Sequence, residues 1–329
     1  MTIGMRGLHV YILLAAAALA LVFADRLSSY WMHVAIIAMF YGILASSWSL
    51  LAGYVGLFSL GHMAFASIGG YTSGLLVQWY GIPIPLGMLA GIAVCCALGG
   101  VIGWVCLRMS GPYLAIFTLG FAEIVRIIFA TEDDITSGMA GLHVERLFDT
   151  PSRLPYFYAA FALLAVSLLL MGLIVRSRWG LFLRAIREDE QAASASGVAV
   201  ARFRILIFAI ASGFAGLAGG FYGHYIGILT PSLGGLDFMA VLVVMTVLGG
   251  MERLPTAVGG AFAVEFLLEV LRGYGQWRLP LFGLLLLLTM RFARNGLLAP
   301  LWLQFVRLGE SPAVTATAAQ DVPQKEPGL

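Results

Sequence analysis

Charge is scarce in this 329-residue chain: 11% of its residues are Asp, Glu, Lys or Arg, against 60% that are hydrophobic. A soluble domain carries roughly 25% charged residues. A chain of this length can bury a large core in water, but it then needs a charged surface, and there is too little charge here to make one. Lipid as the solvent removes that need. Lysine is nearly absent, with Lys325 the only one. A phosphate-cradling P-loop needs G-x-x-x-x-G-K-[ST], so the chain does not bind and hydrolyse ATP by that route. Neither an H-E-x-x-H zinc motif nor a G-x-S-x-G nucleophile elbow occurs, and no catalytic residue is assigned. Cysteine is limited to Cys95, Cys96 and Cys106, all in one apolar stretch. They read as small buried hydrophobes. No Cys/His spacing resembles a metal site, so neither metal nor cofactor is expected in the chain. The net charge of +2 says little about partners, and no nucleic acid is expected among them.

What is present is hydrophobic length. A helix crosses the hydrocarbon in about 20 residues. On that ruler the candidate spans are 8–24, 32–51, 53–78, 84–107, 112–130, 156–175, 205–228, 236–250, 255–271 and 279–296. The fold class expected is therefore an all-α polytopic membrane protein of about ten transmembrane helices. Glycine-rich stretches at 53–78 and 236–271 predict broken or re-entrant helices there. The run after Arg6 looks like a signal peptide, but further apolar segments follow at once, so it reads as an uncleaved first span.

Arginine sets the orientation. Residues 176–204 hold Arg176, Arg178, Arg184, Arg187, Arg202 and Arg204, whereas 131–153 hold Arg146 and Arg153 against Glu132, Asp133, Asp134, Glu145 and Asp149. Positive loops stay in the cytoplasm. On that count 176–204 faces in, 131–153 faces out, and both termini are cytoplasmic. Arg272 and Arg278 fall outside and are the weakest point of the count. Residues 308–329 are polar and rich in Ala, Thr and Pro, as expected of a disordered cytoplasmic tail. The expected organisation is a transmembrane domain over 1–307, with a cytoplasmic loop at 176–204, followed by that tail.

Several constellations stand out. In Gly53–Thr72, the residues Gly56, Ser59, Gly61, His62, Phe65 and Gly69 serve either close helix packing or a discontinuous helix lining a path. Glu123 and Arg126 are three apart and share a helix face. Glu265 and Glu269 are four apart; two buried like charges repel, so one should reach water or a basic partner such as Arg272. Ser212, Gly216, Gly219, Gly220 and Gly223 form small-residue ridges for packing. In 178–198, Arg184 and Glu188 are spaced as an i,i+4 pair, Ala192, Ala193 and Ala195 favour helix, and Gly197 suits the residue past its end. A small-residue face there lets another protein dock, or the segment is a solvated linker.

The order of motifs resembles the permease subunits of bacterial branched-chain (hydrophobic) amino-acid ABC importers, of the LivM type. The first carrier is Gly56-x-x-Ser59-Leu60-Gly61-His62-x-Ala64-Phe65, running on to Gly69-Gly70-Tyr71. The second is Gly111 to Ile124, with Thr118 and Glu123. The third is Arg184-Ala185-Ile186-Arg187-x-Asp189-Glu190-x-Ala192-Ala193-x-x-x-Gly197. The fourth is Val247-Leu248-Gly249-Gly250, then Gly259-Gly260-Ala261. Two positions depart from the family's habit. Leu57 stands where Gln is common, and Met251-Glu252-Arg253 stand where small residues follow the glycine pair.

The resemblance implies a permease without its own catalytic site, working in the bacterial inner membrane by alternating access. It implies a second, LivH-like permease, two ATP-binding subunits that hold the ATP, and a periplasmic or extracellular substrate-binding protein, with membrane lipid around the bundle. By the same resemblance Arg184, Ala185, Arg187, Glu188, Asp189, Glu190, Ala192, Ala193 and Gly197 couple to the ATPase. Gly56, Ser59, Gly61, His62, Phe65, Gly69, Thr118, Glu123, Gly249 and Gly250 would line the path. Alternatives are an ABC permease for urea, short amides or a sugar, and a proton- or ion-coupled secondary transporter using Glu123, Glu265 and Glu269.

Overall fold

A computed structural model describes residues 28–109 and 111–277, with the isolated positions 280 and 283. The expected spans 8–24 and 279–296 and the tail 308–329 lie outside the described residues. Each expected span inside them has a helix. These are α1 (Ser29–Ala52), α2 (His62–Tyr80), α3 (Ile84–Val105), α4 (Pro112–Thr131), then the four-residue α5 (Asp133–Thr136), α6 (Leu154–Arg176), α7 (Arg178–Glu188), α8 (Glu190–Ala195), α9 (Val200–Ile226), α10 (Leu236–Gly249) and α11 (Leu254–Leu271). Among the described residues six of them, α1, α3, α4, α6, α9 and α11, are long and apolar enough to cross a membrane. The protein is thus a helical, multi-pass membrane protein.

The break expected within 53–78 is present, and the start of its helix is corrected. Residues 53–61 are not helical, and α2 begins only at His62. Gly53 terminates α1, and Gly56 takes a left-handed φ of 81°, a conformation open to glycine at little cost. The break expected within 236–271 is present: α10 and α11 are separate helices joined at Gly250, whose φ is 109°.

Around α9 the bundle is held by glycine. A Cβ on Gly69 would lie 2.3 Å from the Gly216 carbonyl oxygen, and one on Gly219 would lie 1.7 Å from that of Ala66. On the other side of α9, a Cβ on Gly99 would meet Ser212 Oγ at 2.5 Å, and one on Gly213 would meet Cys96 Sγ at 2.4 Å. Small residues let helices approach in lipid, where apolar surface alone provides no drive to associate. The expected ridge of Ser212, Gly216, Gly219 and Gly220 is this seam. Cys95, Cys96 and Cys106 are free thiols in it or beside it.

α1 runs antiparallel to α9, with His33 Nδ1 2.5 Å from Tyr225 Oη and Phe40 packed on Tyr222. It also runs antiparallel to α11, with Trp31 stacked on Phe266 near one end and Ser49 Oγ donating to the Met251 carbonyl near the other. The acidic stretch 131–153 is not plain coil. It forms α5 and the two-residue strand β1 (Leu142–His143), which pairs antiparallel with β2 (Ile228–Leu229) beyond the end of α9.

One arrangement occurs twice. A long helix, nine residues without α-helix, a shorter helix, a tight turn and a further helix appear as α1, 53–61, α2, 81–83, α3, and again as α9, 227–235, α10, 250–253, α11. Because α1 and α9 are antiparallel, the two copies run in opposite directions.

Candidate functional site: the Arg-rich helices and the broken crossings

The Arg-rich stretch folds as two helices where one was expected. Asp189 interrupts the run with extended backbone, φ −154° and ψ 108°. Its Oδ1 accepts from Gln191 N at 2.8 Å and Ala192 N at 3.0 Å, an N-cap that starts α8 afresh. Gly197 sits just past the end with φ 86°, as its position in the sequence predicts. α7 lays Leu183 and Ile186 inward and exposes Arg184, Ala185, Glu188 and Leu181. It is folded hard against α6: a Cβ on Gly180 would lie 1.9 Å from the Val175 carbonyl oxygen.

The residues expected to couple divide into two sets. Ala185, Glu188, Asp189, Ala192 and Gly197 are exposed. Ala193 is 5% exposed and packs within the chain, so it is not part of an outward face. Among the described residues no ion pair joins Arg184 to Glu188. The Arg184 guanidinium lies over the Tyr54 ring, 5.5 Å from its centroid. Burial pushes the Tyr54 phenol up from its ordinary value, and Arg184 partly opposes that. Glu190 accepts from Arg204 Nη1 at 2.8 Å, and Arg204 also donates to the Met109 carbonyl at 3.0 Å. Arg187 donates to the Gly53 carbonyl and to Glu252 Oε1, the latter at 2.8 Å.

The residues expected along the path are mostly packed together. His62 begins α2 and bonds through Nε2 to Ser47 Oγ at 2.7 Å. Ser47 is five residues from the end of α1, so α2 starts about 8 Å inside that end at 1.5 Å per residue. Trp48 Nε1 donates to the Ser59 carbonyl at 2.7 Å, and Leu60 N donates to Thr118 Oγ1 at 2.9 Å. Ser59, Gly61, His62, Phe65 and Thr118 therefore form one buried knot between α1, α2 and α4. Gly234, in the stretch before α10, packs against Ser67 and Ala64, so α10 begins beside the first turns of α2. Among the described residues, His62 Nδ1 and Ser67 Oγ have no hydrogen-bond partner. Gly69 belongs to the α9 seam. Gly249 belongs to the α10–α11 hairpin, where its Cβ would lie 2.2 Å from the Thr256 carbonyl oxygen; Gly250 is its turn. Gly56 and Glu123 are exposed.

α4 offers the most open face. Tyr113, Ile116, Ile124 and Ile127 are exposed, and nothing lies within 4 Å of a Cβ on Gly120. Glu123 and Arg126 form the expected ion pair on this helix, Arg126 Nε donating to Glu123 Oε2 at 2.9 Å. The expected basic partner of Glu269 is also found, Arg272 at 3.2 Å. Glu265, Glu269, Asp237 and His33 line a cavity of about 910 Å³ between α1, α9, α10 and α11. Among the described residues no cluster of three or more His, Cys, Asp or Glu is placed to hold a metal. Sequence reasoning missed the bonds of Arg187 to the Gly53 carbonyl, of Arg204 to the Met109 carbonyl and of Ser49 to the Met251 carbonyl, since each joins residues more than 90 apart. The departure Met251-Glu252-Arg253 was the one available signal.

Residues 30–293 match the family model described as the permease component of the branched-chain amino acid transport system. The chain belongs to that permease family. It is 29% identical over 314 residues to the high-affinity branched-chain amino acid permease LivM of Escherichia coli strain K12, covering 87% of this chain and 74% of LivM. The fructose import permease FrcC of Rhizobium meliloti is 26% identical over 227 residues, 64% of this chain and 63% of FrcC. LivH of Escherichia coli strain K12 is 25% identical over 246 residues, 67% of this chain and 78% of LivH. No solved structure matches the chain. The LivM-type resemblance read from the motifs stands, and the chain is a membrane-spanning transport permease of this family.

Proposed function

We propose that this permease serves an ATP-driven importer of branched-chain or other hydrophobic amino acids in the bacterial inner membrane. The chain has no catalytic site and no cofactor of its own; two partner subunits bind ATP. A LivH-like permease completes the membrane unit, and a periplasmic or extracellular binding protein delivers substrate. Ten crossings with both termini cytoplasmic, a permease domain over 1–307 and a cytoplasmic tail over 308–329 belong to the same reading. The observation that carries it is the exposed face of α7 and α8, at the Arg-rich end of a family member that lacks a P-loop. The path is assigned to the open face of α4 with Gly56 and Glu123, the buried knot at Ser59–Phe65 and Thr118 moving during alternating access.

The broader likeness to LivM than to FrcC favours hydrophobic amino acids over a sugar. A proton-coupled mechanism is disfavoured because Glu123 and Glu269 are each paired with arginine.

The test is Ala192→Arg, compared with Ala193→Arg. Ala192 is exposed, so its arginine should leave membrane levels normal while abolishing ATPase co-purification and uptake. An unpaired charge forced into a packed interface costs several kcal/mol. Ala193 is buried in the chain, so its arginine should lower the amount of folded permease itself. An Ala192→Arg protein that keeps its ATPase and transports normally would mean that α8 is a linker.

A further inference from the structure

We infer that Arg187 is a positioning residue that passes the movement of α7 to both broken crossings at once. The inference rests on α7 and α8 facing the ATPase. A helix moved by a partner does work on the bundle only through bonds that leave the helix. Arg187 makes two, to different elements. One guanidinium nitrogen donates to the Gly53 carbonyl, and the other to Glu252 Oε1 at 2.8 Å.

Gly53 is the C-cap of the 24-residue α1. Its carbonyl stands at the negative end of that helix's dipole, where a cation is favoured. Gly53 is also the first residue of the non-helical stretch that leads to α2. Glu252 lies in the 250–253 turn that ends α10. The two targets touch each other. A Cβ on Gly53 would lie 1.8 Å from the Met251 carbonyl oxygen, and Ser49 Oγ donates to that same carbonyl at 2.5 Å. The end of α1 and the α10–α11 turn are thus one knot, and Arg187 is the side chain of α7 that holds both parts of it. Arg184, one turn earlier, covers Tyr54 of the same stretch.

The chemistry is particular to arginine. A planar fork reaches two acceptors in different elements, whereas lysine offers a single point charge. The Arg187 side chain is 34% exposed and that of Glu252 69%, so the ion pair adds little stability as a pair. Its role is geometric.

The test is reconstitution of the permease pair with its ATPases and binding protein. It compares wild type with Arg187→Met, Arg187→Lys, Glu252→Gln and the exchange Arg187→Glu/Glu252→Arg. Arg187→Met should keep ATPase association and hydrolysis, while import falls about tenfold, so the ATP consumed per substrate imported rises by that factor. Glu252→Gln loosens one arm and should raise the ratio about twofold to threefold. Arg187→Lys should stand between Arg187→Met and wild type. The exchange should recover part of the loss, because the arm to Glu252 is rebuilt while that to Gly53 is not.

A wild-type ratio in Arg187→Met overturns the inference. So does loss of ATPase co-purification in that variant, which would make Arg187 a docking residue. If Arg187→Met does not insert, Glu252→Gln decides by the same ratio, and an unchanged ratio overturns the relay. Wild-type import that proceeds without ATP would fail differently, removing the ATP-driven reading on which the relay depends.

Discussion

Around α9 the helices meet backbone to backbone along several turns, whereas at the Arg-rich end such contacts, Gly53 on the Met251 carbonyl among them, are joined by side-chain bonds between elements. In the first region Gly69, Gly216 and Gly219 bring carbonyl oxygens to distances no Cβ tolerates. Nothing there can slide without separating the helices, so α2, α3 and α9 behave as one body. In the second, Arg187, Arg204 and Ser49 bridge to the carbonyls of Gly53, Met109 and Met251, all distant in sequence. Such bonds can be exchanged for others at modest cost, each net bond being worth about 1 kcal/mol. A transporter needs both kinds of contact, one to keep the parts whole and one to let them change neighbours.

The largest effect should come from Gly219→Ala. Its methyl would enter the Ala66 carbonyl, and overpacking of this kind costs about 3 kcal/mol or more. The expected result is little folded protein after detergent extraction, read by fluorescence size-exclusion. Recovery at wild-type levels would show that the seam yields, and the contrast would collapse. Ser49→Ala should lower stability by about 1 kcal/mol, measured as a small fall in thermal midpoint. A fall as large as that of Gly219→Ala would mean that the side-chain end is equally rigid. Gly120→Ala should reverse the sign. Its site on α4 is open, and a helix interior favours Ala over Gly by about 0.5–1 kcal/mol, so the separate subunit should melt slightly higher. If the same change impairs pairing with the second permease, the α4 face is covered in the complex.

Much of this contrast was legible in the sequence, but unevenly. Hydrophobic length located α1, α3, α4 and α6 within a few residues, because the bilayer sets their size. The ridge of Ser212, Gly216, Gly219 and Gly220 announced the seam by its spacing alone. The glycines of 53–78 announced a break but not where α2 starts: Gly53–Gly61 is apolar enough to pass for membrane helix, and Gly56, the bonds of Ser59 and Leu60 to α1 and α4, and Arg187 on the Gly53 carbonyl hold it open. Ala193 was misassigned because small residues read alike whether they face a partner or their own bundle. The Arg187 contacts join positions 134 and 65 residues away, a separation that no local pattern reports. The two opposed copies escaped notice because they share architecture and glycine breaks rather than a visible repeated motif.

The meeting of α2 and α10 has an electrical side. α2 begins about 8 Å inside the end of α1, and α10 begins beside the first turns of α2, Gly234 lying against Ala64 and Ser67. Each helix N-terminus carries about half a positive charge on its free amide groups. The interior therefore holds two such partial charges within about a turn of each other, with the exposed Asp237 in the first turn of α10 and the Glu123–Arg126 pair beside Gly235. On the proposed alternating access, loosening the knot at His62 and Thr118 would uncover two helix N-termini whose partial positive charge comes from backbone amides, while the buried Arg204 lies elsewhere, bonded to Glu190 and to the Met109 carbonyl.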